Sequence, residues 1–299
     1  MIDRHDIGAA ATPTDDSFEA HRRHLQAVAY RFLSSVTDAE DIVQETYLRW
    51  RTAAPGEVRD TRAYLTRITA RLCLDHLKSA RVRREQYVGT WLPEPIVEAV
   101  APSPSDEQTR ADDVSYALML ALERLSPLER AAFVLHDAFG QSFEEIAATL
   151  GHNPAACRQL AARARHHLRA NRPRFAVTPA QAERVAQAFL LAVHAGDTAA
   201  LTQLLAADAV LHTDSGGRVR AARRDIVGPD RIARLFVSLA RKYGPARTAA
   251  TARINGLPGL VMRDPFGITQ TLAFDLRDGA ITTLYLVRNP DKLRHVHAP

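Results

Sequence analysis

The sequence predicts a multidomain fold, in which two all-α units are followed by an α+β unit shaped like a cone. Apolar residues recur at helical spacing through the first 174 residues. Between residues 142 and 169, a helix, a glycine turn and a basic helix are typical of a helix-turn-helix. After residue 178, two helices precede strand-like stretches separated by turn signals. A chain of 299 residues with 46% hydrophobic residues can bury two or three compact cores.

Charge is distributed unevenly along the chain, whose net charge is +5. Residues 1–58 are rich in carboxylates, whereas eight arginines and lysines between Arg59 and Arg84 face only Asp60 and Asp75. An acidic segment followed by a basic one predicts two partners of opposite charge, or one surface that steers both. Most of the basic residues are arginines, which bind phosphate and guanine with two hydrogen bonds.

The cysteine content indicates a reducing compartment. Cys73 and Cys157 are the two cysteines, and neither has the spacing of a zinc site. We expect both to be buried, and we expect no metal site and no cofactor. The beginning of the chain has no apolar signal region and no run reaches membrane-spanning length, so the expected location is the cytoplasm.

The first unit is predicted to contain three helices, at Phe18–Leu33, Asp38–Trp50 and Thr61–Ala80. Asp38 suits an N-cap position, where a carboxylate also complements the helix dipole. The second helix has an apolar inner stripe formed by Ile42, Val43, Thr46, Tyr47 and Trp50. Its outer face carries Asp38, Asp41, Gln44 and Glu45.

Residues 86–111 form a predicted linker that contains four prolines and has no helical periodicity. Its segment Trp91–Pro95 is stiff and carries an indole. We therefore expect this segment to dock on a folded surface; the alternative is an exposed spacer.

The second unit is predicted to span residues 112–174, with helices to Leu125, at Pro127–Phe139 and on both sides of Gly151. Ser142 with Glu145 fits a capping box, and Asn153–Pro154 fits the start of the last helix. Cys157, Leu160, Ala161, Ala164 and Leu168 share one face of that helix, opposite Gln159, Arg163, His166 and Arg169. This pattern favours a DNA-recognition helix over a solvated face of an αα-hairpin.

The third unit is predicted to contain helices at Pro179–Ala195, Thr198–Leu205 and Pro229–Lys242. Strands are predicted at Ala209–Thr213, Arg218–Arg223, Thr248–Ile254, Leu260–Arg263, Ile268–Leu276 and Ala280–Val287. Ser215–Gly217 and Arg277–Gly279 are turn signals, so antiparallel hairpins are expected at both.

Several motifs, in order, resemble the extracytoplasmic-function sigma factors, which are specificity subunits of bacterial RNA polymerase. They are DAEDIVQETYLRW at 38–50, AYLTRITARLCLDHLKSAR at 63–81 and LERLSPLERAAFVLHDAFGQSFEEIAATLG at 122–151. WLPEP at 91–95 and NPDKL at 289–293 are similar to the marks of the SigJ-like subgroup, which has a fused C-terminal SnoaL-like domain of the NTF2-like fold. The chain departs from the subgroup's glycine-rich turn at Ser215 and Arg218, and from many family members at Arg71, where they carry asparagine.

The resemblance implies four segments: 1–86, which binds core polymerase and the −10 element; 87–111, a linker; 112–175, which binds the −35 element; and 178–299, a regulatory domain. It implies contacts to the −35 element from Arg158, Gln159, Arg163, His166 and Arg169. It implies contacts to the −10 element from Arg67, Arg71, Lys78, Arg81, Arg83 and Arg84. Asp38, Asp41, Gln44 and Glu45 would bind core polymerase. A regulatory contact would join Trp91, Pro93, Glu94, Asp214, Gly216, Gly217, Asn289, Asp291 and Lys292.

The function implied is promoter-specific transcription initiation, modulated in cis by the C-terminal domain. The implied partners are core polymerase, through its β′ clamp and β flap, and promoter DNA; no membrane and no separate anti-sigma factor are expected. Whether the C-terminal pocket binds a small ligand is left open. One alternative is a helix-turn-helix regulator that does not require core polymerase. Another is a SnoaL-like isomerase or cyclase, with His212 or Asp214 as a general base.

Overall fold

The computed structural model describes residues 14–53, 58, 60–85, 87–98, 116–169 and 179–297. The described residues divide into two compact units. The first contains the described part of residues 1–81 together with 125–167, and the second contains the described part of 82–124 together with 168–299.

The first unit begins with three helices, α1 (Asp15–Leu33), α2 (Val36–Arg51) and α3 (Thr61–Glu85). The apolar stripe predicted for α2 is buried at Ile42, Val43, Thr46 and Trp50. The predicted N-cap was wrong, because the Ser35 side chain accepts the hydrogen bond from the Asp38 N–H and the helix therefore starts one turn earlier. Serine caps as well as aspartate does, and Asp38 still complements the dipole from the first turn.

The helix-turn-helix is formed by α6 (Phe143–Leu150) and α7 (Pro154–Arg169), which follow α5 (Pro127–Phe133). The capping box of Ser142 and Glu145 is confirmed, and Gly151 ends α6 with a φ of +69°. The helix predicted for 127–139 is not uniform, because Val134–Ala138 is one turn of π-helix. A π-helical turn holds one extra residue compared with an α-helical turn, which changes the direction of the chain that follows it.

The second unit is built on a seven-stranded sheet with the order β1-β4-β5-β6-β7-β2-β3. Its strands are β1 (Val97–Glu98), β2 (Leu205–Asp214), β3 (Ile226–Val227), β4 (Thr248–Ile254), β5 (Leu257–Arg263), β6 (Thr269–Arg277) and β7 (Ala280–Val287). Its helices are α4 (Tyr116–Glu123), α8 (Pro179–Ala195), α9 (Thr198–Leu204) and α10 (Pro229–Tyr243). The linker segment 97–98 therefore adds an antiparallel strand to the edge of the sheet, beside β4.

Both faces of the sheet are covered. Leu272 and Phe274 of β6 point into a core shared with Phe189 of α8. The alternate residue Ala273 points to the opposite face, where Tyr116 of α4 and Leu92 of the linker form a second core. Because successive strand residues face opposite sides, the linker and α4 shield the face that the three C-terminal helices leave bare.

The strand predicted at 218–223 was wrong in its bounds. The strand that follows the turn after β2 is the short β3, which pairs antiparallel with β2 at Val210 and Leu211. Gly216 and Gly217 both have positive φ, +55° and +72°, which turns the chain away from the sheet. On its other edge β2 pairs in parallel with β7, from Val210 beside Thr283 to Asp214 beside Val287. The hairpin between β6 and β7, with Asp278 and Gly279 at its turn, is confirmed.

Candidate nucleic-acid interface and linker-binding site

The recognition helix α7 presents two different faces. All five residues of its predicted apolar face are buried. Arg158, Gln159, Arg163 and His166 are exposed on the other side, and the side chain of Asn153 accepts a hydrogen bond from the Ala156 N–H at the start of the helix. Local capping and one apolar stripe thus expose the predicted polar side chains; the side chain of Arg169 lies outside the described residues.

Within this exposed face, the two arginines differ in their surroundings. Arg163 Nε donates to Glu129 Oε1 at 3.0 Å, and this carboxylate also belongs to the capping box at the start of α5. Arg158 lies 4.0 Å from Glu144 through a side chain that is 55% exposed. Arg158 and Gln159 occupy the N-terminal half of α7, the part of a recognition helix that contacts base edges.

The basic helix α3 carries the side chains predicted to contact the −10 element. Arg67 is half-buried with its guanidinium 5.4 Å from the centre of the Tyr64 ring. Lys78 is exposed and pairs with Asp75 on the same helix at 2.9 Å. Arg81, Arg83 and Arg84 belong to the last part of α3, but their side chains lie outside the described residues.

Arg71 has partners that the sequence did not indicate. Its guanidinium donates to the backbone oxygens of Ala148 at 2.9 Å and Thr149 at 3.0 Å, both in the last turn of α6. Carbonyls in the last turn of a helix have no partner inside the helix and attract cations. A residue predicted to contact the −10 element therefore contacts the helix-turn-helix in this structure.

The acidic helix α2 exposes Asp41 and Gln44. Asp38 lies 3.4 Å from the His76 ring, and Glu45 accepts a hydrogen bond from Arg49 at 3.1 Å. The structure thus places all four predicted residues on α2, with Asp41 and Gln44 the most exposed of them. Attraction across such a face mainly raises association rate and sets orientation.

A site in the second unit holds the linker, and the carboxylate of Asp214 lies at its centre. Asp214, at the end of β2, is fully buried. It accepts hydrogen bonds from the Tyr87 hydroxyl at 2.5 Å, the Leu92 N–H at 2.8 Å and the Gly216 N–H at 3.1 Å. A buried carboxylate requires such donors because water cannot reach it.

Lys292 supplies the charge that balances Asp214. Its Nζ lies 2.7 Å from Asp214 Oδ2 and also donates to the backbone oxygen of Leu92. The same ammonium lies 4.0 Å from the centre of the Trp91 ring and 5.0 Å from that of Tyr87. The linker therefore contributes both a carbonyl and aromatic faces to this cation.

The rest of the predicted regulatory set surrounds this ion pair. Asn289 donates to the Tyr87 hydroxyl at 2.9 Å, and a side chain added at Gly216 would collide with Asn289. Burial, and next the charge of Asp214, raise the pKa of Tyr87 well above its ordinary value. Asp291 lies at the rim and pairs with Arg218 at 3.0 Å. Pro93 and Glu94 are buried with the linker, and a Cβ added at Gly217 would lie 3.2 Å from the side chain of Val88. Direct contacts thus connect Trp91, Gly216, Asn289, Asp291 and Lys292 to the neighbourhood of Asp214, and Pro93 and Glu94 follow Leu92 in the buried linker.

His212 and Asp214 have separate partners. His212 Nδ1 lies 2.8 Å from Asp225, and its ring stacks on Tyr285. Asp214 is occupied by Lys292 and three further donors. A carboxylate with this set of partners is poorly placed to accept a proton from a substrate.

An open groove of about 760 Å³ lies beside α10. Four arginines line it: Arg223, Arg224, Arg231 and Arg234. Asp225, the carboxylate in its lining, is engaged by His212. The groove therefore offers a concentrated positive charge, of a kind that suits an anion.

Family models and similar proteins agree with this architecture. Residues 17–83 match the model of sigma-70 region 2, and residues 115–168 match that of sigma-70 region 4. The chain is 41% identical to the ECF RNA polymerase sigma factor SigJ of Mycobacterium tuberculosis (strain ATCC 25618 / H37Rv), over 92% of this chain and 91% of that protein. The chain belongs to the extracytoplasmic-function sigma factor family, whose members are transcription initiation factors.

The crystal structure of Mycobacterium tuberculosis SigJ is similar along almost the whole chain. It covers 94% of this chain and 98% of its own, with a TM-score of 0.76 and 38% identity. The predicted class, two helical sigma domains and a C-terminal NTF2-like domain, is thereby confirmed. The sigma factor RpoE of Bartonella quintana, solved with the anti-sigma factor NepR, is 21% identical with a TM-score of 0.39 over 52% of this chain; its partner is a property of that protein. Among the described residues, no helix is both long and apolar enough to cross a bilayer.

Proposed function

We propose that the C-terminal domain modulates promoter use by this sigma factor in cis, and that it does so by holding the linker. The observation that carries the proposal is the Asp214–Lys292 pair, which binds the backbone of Leu92 from both sides. Asp214 accepts a hydrogen bond from the Leu92 N–H at 2.8 Å, and Lys292 donates one to the Leu92 carbonyl. The linker connects the two promoter-binding segments. A domain that grips it can set how far those segments separate.

Transcription in vitro with core polymerase and the chain's own upstream region tests this proposal. Two truncations are compared, one after Asp291 and one that removes residues 178–299. The first removes Lys292 together with Leu293 and Val296 of the second core but keeps every strand of the sheet, so we expect the two to change initiation differently. Equal outcomes would contradict a specific contact, and no initiation by any form would contradict the assignment of this chain as an active sigma factor.

The proposed −35 contacts come from α7. Arg158 and Gln159 are exposed in its N-terminal half, where base contacts are made, and Arg163, His166 and Arg169 follow along the same helix. We expect R158A and Q159A to weaken discrimination between promoter sequences by about 1–3 kcal/mol. R165A is the matched control, because Arg165 lies on the same helix but its side chain is paired with Asp137 at 2.7 Å.

The proposed −10 contacts come from Arg67, Arg71, Lys78, Arg81, Arg83 and Arg84 on α3, and α2 is proposed to bind the polymerase β′ clamp. Asp41 and Gln44 support the second proposal because both are exposed. The double variant D41N/Q44A should lower the association rate with core polymerase more at low salt than at high salt. An unchanged rate at both salt concentrations would rule out this face.

The remaining expectations stay predictions. They are the domain boundaries at 86, 111 and 175, action in the cytoplasm, contact with the β flap and independence from a separate anti-sigma factor. Purification of the tagged chain from its own cells, followed by identification of stoichiometric partners, tests the last of them. Recovery of a separate protein that blocks core binding would refute it.

The arginine-lined groove supports a small anion as the ligand of the C-terminal domain. Titration of the full chain with inorganic phosphate and with a nucleoside triphosphate, monitored by calorimetry, tests this. R231A/R234A should abolish any heat, whereas R294A, a similarly exposed arginine outside the groove, should not. Heat that persists in R231A/R234A would place the ligand elsewhere.

Two alternatives are separated by the same reagents. A regulator that needs no polymerase would bind its promoter equally well with and without core enzyme. A SnoaL-like enzyme would show turnover that is lost in H212A or D214N. The buried partners of Asp214 support a structural role for it.

A further inference from the structure

Three contacts inside the first compact unit join its promoter-binding parts to one another. The clearest is made by Arg71 of α3, whose guanidinium binds two carbonyl oxygens in the last turn of α6. Two bonds from one planar guanidinium define position and angle together. They also complete a helix end whose carbonyls would otherwise need water.

A second contact is made by Arg130 of α5. Its Nη1 donates to the backbone oxygen of Phe32, near the end of α1, at 2.6 Å. Arg130 is only 2% exposed. Burial lowers its pKa to about 10, so the guanidinium stays charged at neutral pH. A buried cation bound to a helix end is a directional contact rather than a solvated one.

A third contact centres on Phe139, which follows the π-helical turn. The guanidinium carbon of Arg31 lies 4.9 Å from the centre of its ring, and His24 meets the same ring edge-on at 5.1 Å. His24 also contacts Thr66 of α3 at 3.0 Å. The three contacts use α1 and α3 on one side and α5, α6 and Phe139 on the other.

The geometry that these contacts impose does not suit two separated promoter elements. The chain from Thr149 to the start of α7 at Pro154 spans at most about 18 Å. Arg71, bound at Thr149, is therefore close to the N-terminus of the recognition helix. The −10 and −35 elements are separated by about 25 base pairs, or roughly 85 Å of duplex.

We propose that Arg71 is a latch that holds the −10-binding and −35-binding modules together in a closed form, which must open before both elements can be bound. This inference rests on the proposed assignment of α3 and α7 to the two elements. In the closed form Arg71 is engaged by α6, so the same bonds that hold the modules also occupy a DNA-binding side chain. Opening exchanges these bonds for contacts to DNA.

The test measures the distance between the two modules in the full chain. Spin labels are attached to cysteines at L48C on α2 and A162C on α7; both positions are exposed, whereas the native cysteines are buried. In the labelled chain that keeps Arg71, we expect one short distance between the two labels. R71N should raise the population of long distances by about fivefold or more, because the shorter amide cannot replace two charge-assisted bonds.

Two matched variants complete the experiment. R22N changes a cation on α1 whose partner, Glu19, lies on the same helix at 2.6 Å, and it should leave the distances unchanged. R71K keeps the charge without the fork and should give an intermediate population. Addition of a duplex that carries both elements should shift every variant to long distances.

Distances in R71N that equal those of the labelled chain that keeps Arg71 would overturn the latch, whatever happens to transcription. Long distances in the labelled chain that keeps Arg71 without DNA would overturn it as well. Neither readout needs polymerase, so a failure of the latch is distinguishable from a failure of the sigma-factor assignment, which the transcription assay alone decides.

Discussion

At the scale of single residues, the site around Asp214 shows how a buried charge is stabilised by the segment that it holds. The carboxylate and the ammonium of Lys292 are 0% and 8% exposed. Each of them also binds the backbone of Leu92. Because two opposite charges and a linker peptide share one set of bonds, loss of one charge leaves the other buried without its counter-ion.

Replacement of Lys292 tests this dependence. K292M keeps most of the side-chain volume but leaves Asp214 buried without its counter-ion, so the free energy of unfolding should fall by about 3–5 kcal/mol. Urea denaturation of the full chain measures it. R294M is the matched control: Arg294 is 73% exposed and pairs with Asp291 at the surface, and its loss should cost less than about 1 kcal/mol. Equal losses would contradict the role of the buried pair.

Gly216 is required by space as well as by backbone angle. Its φ is +55°, and an added Cβ would meet the side chain of Asn289. Gly140 has a similar φ of +67° but open space around it. G140A should cost about 1–2 kcal/mol for the left-handed backbone alone, and G216A should cost more. Circular dichroism melts of both variants compare them; G216A no worse than G140A would exclude the collision.

At the scale of elements, the linker acts as part of the sheet. Ile96 and Asn255 are joined by two hydrogen bonds, from the Ile96 N–H to the Asn255 side chain at 3.0 Å and from the Asn255 N–H to the Ile96 carbonyl at 2.9 Å. Val97 and Glu98 continue this pairing beside β4. An added edge strand gains backbone bonds whatever its side chains are.

The variant N255G tests the side-chain bond separately. Asn255 has a φ of +48°, which glycine adopts without strain, so the backbone turn is kept. We expect faster amide hydrogen exchange at Ile96 through Glu98 and unchanged exchange in the centre of β6. Unchanged exchange at Ile96 would show that the backbone bond alone holds the strand.

At the scale of the whole molecule, the segment that matches sigma-70 region 4 does not lie within one compact unit. Its first helix, α4, belongs to the second unit, where Tyr116 stacks on Tyr285 with ring centres 4.9 Å apart. Residues 125–167 of the same match belong to the first unit. The covering of the sheet's second face, which needs both α4 and the linker, is the physical reason for this division.

The two cysteines report on opening of the first unit. Cys73 and Cys157 are both 0% exposed, and burial raises the pKa of each thiol. Alkylation of the native chain at neutral pH should therefore proceed only as fast as the unit opens. Mass spectrometry over time measures it, with the denatured chain as the control. Rapid reaction of both thiols in the native chain would contradict the compact first unit.

The local architecture and the family follow from the sequence by itself. Capping boxes, the apolar stripe of α7 and the glycine at 151 are signals within a few residues of one another, and they act through the nearest turn of backbone. The motifs at 91–95 and 289–293 indicated, through their resemblance to the SigJ-like subgroup, which segments belong to one site. No periodicity could show that Asp214 is the acceptor they share.

Only the tertiary structure decided which distant groups meet. Arg71 has the pattern of an exposed basic residue, yet its partners are carbonyls of α6. The strand predicted at 218–223 lies instead at Ile226–Val227, and the parallel pairing of β2 with β7 was not predicted at all. Parallel pairing and helix-end contacts depend on backbone groups that every residue carries. Side-chain patterns do not encode such choices, which are settled by the packing of elements that lie far apart in the chain.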